Sequence, residues 1–147
     1  MNPNRSGHNW NHAVTNAYLD CRAANKSLPR ELIRIPLSVM KTARNVRLVL
    51  VTTPDRKTAR ALARAALEAR LVACANLVPG IESHYWWKGR LEKSNEILVL
   101  FKTTRDKISA LEKLVLKQHP YDTAEVISLP LDSGTPRYLD WLLASVR

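Results

Sequence analysis

The chain is short of the residues that build special-purpose scaffolds. Its 147 residues include two cysteines, four glycines, two methionines and one phenylalanine. Cys21 and Cys74 cannot make a disulfide framework, and Cys74 lies in an apolar segment that suits a reduced, cytosolic interior. The four histidines, His8, His12, His84 and His119, form no H-E-x-x-H, and no C-x-x-C occurs, which excludes a zinc finger or a zincin. Also missing are G-x-S-x-G, the phosphate-binding P-loop and G-x-G-x-x-G. Asp55, Glu82 and Asp132 read as caps and surface carboxylates, so the chain is expected not to be an enzyme. No apolar run approaches the roughly 20 residues of a membrane helix; Leu48–Val51 and Ile97–Phe101 have strand length.

Acidic residues are scarce as well. Thirteen Asp and Glu face 23 Lys and Arg, a net charge of +10. Such an excess first raises the question of a nucleic-acid or acidic-membrane partner. Its distribution is uneven: residues 1–45 carry seven Lys/Arg against Asp20 and Glu31, and residues 46–147 carry sixteen against eleven. The first segment is rich in Asn, has no sustained period and is interrupted by Pro36. It lacks the apolar block of a secretory signal. Being basic and acid-poor it shares something with transit peptides, but it holds only three Ser. The expectation is a basic, disordered extension over 1–45, with Met40 an alternative start, ahead of one domain over 46–147.

From Val46 the pattern becomes regular. Val46–Val51 predicts a strand. Thr53-Pro54-Asp55 predicts a helix start with Thr53 as cap, and the helix runs to about Leu71 on a stripe of Ala59, Leu62, Ala63, Ala66 and Leu67. Arg56, Lys57, Arg60, Arg64 and Arg70 fall off that stripe and read as a solvated face. Val72–Trp87 predicts a long strand bent at Pro79-Gly80, Lys88-Gly89 a turn, and Arg90–Lys102 the return strand. Thr104 opens a helix with Ile108, Leu111, Leu114 and Val115 inward, ended by His119-Pro120. Ala124–Leu129 predicts a fourth strand. Thr135-Pro136 opens a last helix with Tyr138, Leu139, Leu142, Leu143 and Val146 inward. The order is α+β: a ferredoxin-like βαββαβ with an extra C-terminal helix and a long hairpin between its second and third strands.

That hairpin has arms of about 15 residues, on the order of 50 Å, too long for two helices to cover. Its tip carries Tyr85, Trp86 and Trp87, an apolar patch beside an open edge. The expected cover is another copy of the chain, each hairpin laid across a neighbour in a closed ring.

Cys74-Ala75-Asn76, Val78-Pro79-Gly80-Ile81, Tyr85, Trp87, Gly89, His119-Pro120-Tyr121, Glu125-Val126 and Tyr138-Leu139-x-Trp141-Leu142, in this order and spacing, resemble the CutA family of divalent-cation tolerance proteins. The resemblance spans roughly Val46 to Val146. It implies a ferredoxin-like homotrimer, similar in assembly to the PII signalling proteins, with tolerance of divalent metals, copper above all, and no catalytic reaction. It requires no cofactor.

For a metal ligand the matching positions are Cys74 and His119, thiolate and imidazole suiting copper and, after it, zinc. Family members associated with copper binding have Cys where this chain has Val51 and a second His where it has Gln118. A buried free Cys and a His ahead of Pro have structural readings too: core packing and a helix cap. Trp87, Lys88, Tyr121 and Glu125 are the candidate pocket residues, with Lys88 in place of a family-typical acid and Ala124 in place of a family-typical Pro; such a pocket would suit a small anion at a subunit junction. The reading competing with metal tolerance is a PII-like small-molecule signalling or scaffold trimer. RNA-recognition modules share this strand order but display aromatics on the central strands. Here those strands offer aliphatics and Phe101, so nucleic acid is not an expected partner, and no membrane partner is expected.

Overall fold

The computed structural model describes residues 40–147. A short strand β1 (Lys41–Thr42) precedes β2 (Val46–Thr53), helix α1 (Arg56–Glu68), β3 (Cys74–Trp87) and β4 (Arg90–Thr104). One turn of 3-10 helix (Arg105–Lys107) leads into α2 (Ile108–Gln118). Then come β5 (Ile127–Pro130), β6 (Ser133–Gly134) and α3 (Pro136–Ser145). The main sheet is antiparallel in the order β3-β4-β2-β5, the ferredoxin-like arrangement plus a third helix.

Alternation along the central strands divides the sheet into two unlike faces. Val49 opposite Phe101 and Val51 opposite Val99 are fully buried against Ala59, Leu62 and Ala66 of α1 and Leu111 and Val115 of α2. Leu48, Leu50, Leu98 and Leu100 point the other way and stay half-buried. Helix α3 covers only one end of this second face, where Leu139 and Leu142 pack with Ala43, Val46 and Ala73. β1 pairs with β6, so the domain takes in chain upstream of Val46. The rest of the expected extension, residues 1–39, lies outside the described residues.

Several boundaries differ from the sequence expectation, each for a local reason. The cap of α1 is Asp55, whose Oδ1 accepts from the Thr58 N–H at 2.8 Å. That bond holds its carboxyl below the usual carboxylate range. Thr53 is buried instead, its Oγ1 donating to the Ile97 carbonyl at 3.2 Å. Thr104 and Thr135 make no side-chain cap bond, although Pro136 does occupy the first turn of α3. β5 starts at Ile127, not Ala124, and Val126 packs on the main core from the preceding loop. Leu67, Leu143 and Tyr138, placed on inner stripes by periodicity, are exposed in the protomer.

α1 stops at Glu68 rather than Leu71 because the chain turns left-handed at Arg70, φ 54°. Leu71 N–H donates to Ala66 O at 3.1 Å and Arg70 N–H to Leu67 O at 3.0 Å. This is a Schellman ending with arginine where glycine is preferred. Arg70→Gly should therefore stabilise the protein by about 0.5–1 kcal/mol, relief of the left-handed penalty exceeding the added unfolded-state entropy. Urea unfolding would check this; a lower midpoint would refute it.

Candidate functional site

The hairpin has two positive-φ features that set the geometry of its far end. Lys88 (φ 48°) and Gly89 (φ 78°) form a two-residue turn joining Trp87 to Arg90, the backbone pattern of a type I′ hairpin. Gly80 (φ 80°) is an extra residue between the pairs Pro79–Ile97 and Ile81–Glu96. An extra residue inverts the alternation beyond it. Before the bulge, even-numbered residues of β3 share the face of Leu98 and Leu100. After it, Tyr85 and Trp87 take that face together with Glu96. Trp86 and its cross-strand partner Leu91 turn to the opposite face.

A cavity of about 420 Å³ results. The hairpin contributes Tyr85 and Trp87, β4 contributes Glu96, β2 contributes Thr52, and the loop after α2 contributes Pro120, Tyr121, Asp122, Thr123 and Glu125. Three carboxylates line it and no Lys or Arg does, in a chain whose net charge is +10. Glu96 is only 6% exposed. The Tyr121 phenol is pushed up by burial first and then by the Glu96 carboxylate beside it.

His119 holds the loop in place. Its backbone N–H closes α2 on Val115 O at 2.8 Å. Nε2 donates to the Thr52 carbonyl at 2.8 Å, and Nδ1 accepts from the Tyr121 N–H at 3.1 Å. The ring meets Tyr121 edge-on, centroids 5.0 Å apart. Both ring nitrogens are thus engaged within the protomer, and the side chain is buried. This is a neutral imidazole acting as a two-way tie between β2 and the loop.

Cys74 stands elsewhere. It pairs with Lys102, whereas Thr52, the residue that holds His119, pairs with Leu98. The four-residue offset along β4 corresponds to about 13 Å, so the two candidate ligands are not brought together within one chain. The Cys74 thiol instead lies 3.6 Å from Lys102 Nζ and 3.8 Å from the Tyr138 hydroxyl. Burial, and then the Cys74 contact, push the Tyr138 phenol up to about 12. Among the described residues, no three His, Cys, Asp or Glu side chains converge to hold a metal ion.

Of the four expected pocket residues, Trp87, Tyr121 and Glu125 meet in the cavity. Lys88 does not line it; its ammonium lies 6.0 Å from the centre of the Trp87 ring. Within one protomer the walls of this cavity are acidic. Thr52, Glu96 and Asp122 were not singled out by the sequence, and Tyr85 read only as part of the apolar hairpin tip and of the family resemblance. Glu96 left one trace, a carboxylate abutting the apolar run Ile97–Phe101.

The family model described as the CutA1 divalent ion tolerance protein matches residues 47–145. The chain belongs to this family. Protein CutA of Mus musculus is 46% identical over 98 residues, which is 67% of this chain and 55% of the mouse protein. The chain thus spans about half the length of that curated relative. The divalent-cation tolerance protein CutA of Thermus thermophilus is 44% identical over 94 residues, 64% of this chain and 91% of the bacterial protein. The crystal structure of CutA1 from Oryza sativa superposes with a TM-score of 0.69 at 40% identity, covering 73% of this chain and 98% of the rice chain. The family is named for tolerance, not for a reaction, and the described residues include no helix long and apolar enough to cross a membrane.

Proposed function

We propose that this CutA1-family chain works as a homotrimer whose acidic cavity attracts a divalent metal cation in the metal-tolerance response of a reducing cytosol, the order copper before zinc being what the family resemblance implies. The observation that carries the ligand is the charge of the cavity: Glu96, Asp122 and Glu125 line it without a basic residue, so it attracts positive charge and repels anions. Assembly is supported by the exposure of Trp86 and Leu91 at the hairpin tip and by the half-open aliphatic face of the sheet. The number three comes from the family resemblance. The aromatic walls Tyr85, Trp87 and Tyr121 favour a second reading, a PII-like sensor for a small organic cation held over ring faces.

Isothermal titration of the full chain with copper and zinc separates these. Glu96→Gln and Glu125→Gln should each weaken metal binding at least tenfold, about 1.4 kcal/mol, as expected for loss of a charged partner. Cys74→Ala should leave it unchanged. Binding abolished by Cys74→Ala but untouched by both carboxylate variants would return the site to the thiol. No metal binding by the unmodified chain would transfer the cavity to the organic-cation reading.

A further inference from the structure

The charge of the folded part is segregated in a way its total conceals. Over residues 40–147 there are eighteen Lys/Arg and eleven Asp/Glu. The helical layer, residues 56–70 and 105–118, holds nine of the bases and three of the acids. It therefore carries +6 of a net +7, and everything else, cavity and hairpin included, carries +1. On α1, Arg56, Lys57, Arg60 and Arg64 are all exposed, and on α2 so are Lys113 and Lys117. Among the described residues, Arg64 alone of these six has an ion pair, with Glu68 at 2.7 Å.

We propose that this helical layer is a docking surface for the phosphate backbone of a nucleic-acid duplex, bound without regard to base sequence. The geometry supports it. Arg56, Arg60 and Arg64 recur every four residues, a row of guanidinium forks with a step of about 6 Å. Guanidinium matches phosphate in a bidentate way. α1 and α2 pack together on the same face of the sheet. The axes of two such packed helices lie about 8–10 Å apart, so the cations of both helices share one outward surface.

The same residues select against other polyanions. Neither helix contains an aromatic residue, so the layer has no platform on which unpaired bases could stack. Beside the Arg row the exposed positions are small at Ala61, Ser109 and Ala110, while Glu112 and Leu116 stand beside Lys113 and Lys117 on α2. A membrane-surface helix needs a wide free apolar face. The apolar stripe of α1 is already buried on the sheet. The Glu96 side of the sheet is the opposite face, so this surface does not compete with the cation cavity and does not rest on it.

The test is fluorescence anisotropy of a labelled 20-base-pair duplex of mixed sequence with the full chain, between 50 and 200 mM NaCl. Binding should weaken steeply with salt. Arg56→Gln/Arg60→Gln/Lys113→Gln should lower affinity at least tenfold and reduce the salt slope by about 2.7, at 0.9 per lost phosphate contact. A control that removes the same charge upstream, Arg5→Gln/Arg22→Gln/Arg30→Gln, should keep the salt slope within about one unit. Arg56, Arg60 and Lys113 are exposed, and an unchanged thermal midpoint certifies the fold of the layer variant. Three results would overturn the proposal: no duplex binding at 50 mM salt, a layer variant that binds like the parent, or tighter binding to vesicles with 30% phosphatidylserine than to the duplex.

Discussion

Aspartate at both Trp86 and Leu91 leaves the protein monomeric at micromolar concentration. The two side chains face each other across the hairpin and are 74% and 65% exposed in the isolated chain. They lie on the face opposite Tyr85 and Trp87, so the substitutions spare the cavity walls. A tryptophan buried at an interface contributes on the order of 2 kcal/mol or more, and a leucine about as much. Losing about 4 kcal/mol per contact raises the dissociation constant roughly a thousandfold. Burying the new carboxylates would add a further penalty. Sedimentation equilibrium from 1 to 100 μM reads the outcome. A double variant that keeps the parent's mass would show that the hairpin tip is not what joins the copies, and a monomeric parent would remove the trimer altogether.

His119→Ala costs about 2–4 kcal/mol of stability. The substitution deletes two hydrogen bonds and strands the Thr52 carbonyl, which His119 Nε2 reaches at 2.8 Å. A net bond is worth about 1 kcal/mol, so two account for about 2, and the part-buried Thr52 carbonyl left without its donor adds up to about 2 more. The damage is local. Tyr121 N–H loses its acceptor, so its amide should exchange with solvent at least tenfold faster, while amides of β4 at Val99 and Phe101 change only with global stability. His119→Gln, which keeps a donor and an acceptor, should recover part of the loss. If His119→Ala melts like the parent and its only defect is in copper binding, the imidazole is a ligand and not a tie.

These two results address different parts of what the residue pattern could and could not say. The hairpin was legible because its signals are local. Ile97–Phe101 reads directly as an apolar strand core, Tyr85-Trp86-Trp87 as an aromatic arm, and Lys88-Gly89 marks the turn. The helices were legible as 3.6-residue stripes, since Ala59, Leu62, Ala63 and Ala66 do face the core. Their ends were less so. Thr53 and Asp55 are both good caps by chemistry, and only the depth of β2 decides that Thr53 is spent inside the sheet while Asp55 is left at the helix start. Likewise nothing in the sequence near Arg70 announces a left-handed residue; arginine occupies a place that usually goes to glycine.

The sequence by itself determined the α+β order of elements, the buried stripes, the over-long aromatic hairpin and membership of the CutA1 family, because each of these depends on neighbours within a few positions along the chain. The tertiary structure alone decided the site. A single extra residue at Gly80 turns Tyr85 and Trp87 toward Glu96 and Trp86 away from it, an effect set by cross-strand register. Independently of that bulge, strand register separates Cys74 from His119 along β4, and the fold satisfies both imidazole nitrogens with backbone partners 67 and 2 residues away. Which faces and distances long-range pairing produces is a property of the folded sheet, and the pattern along the chain does not contain it.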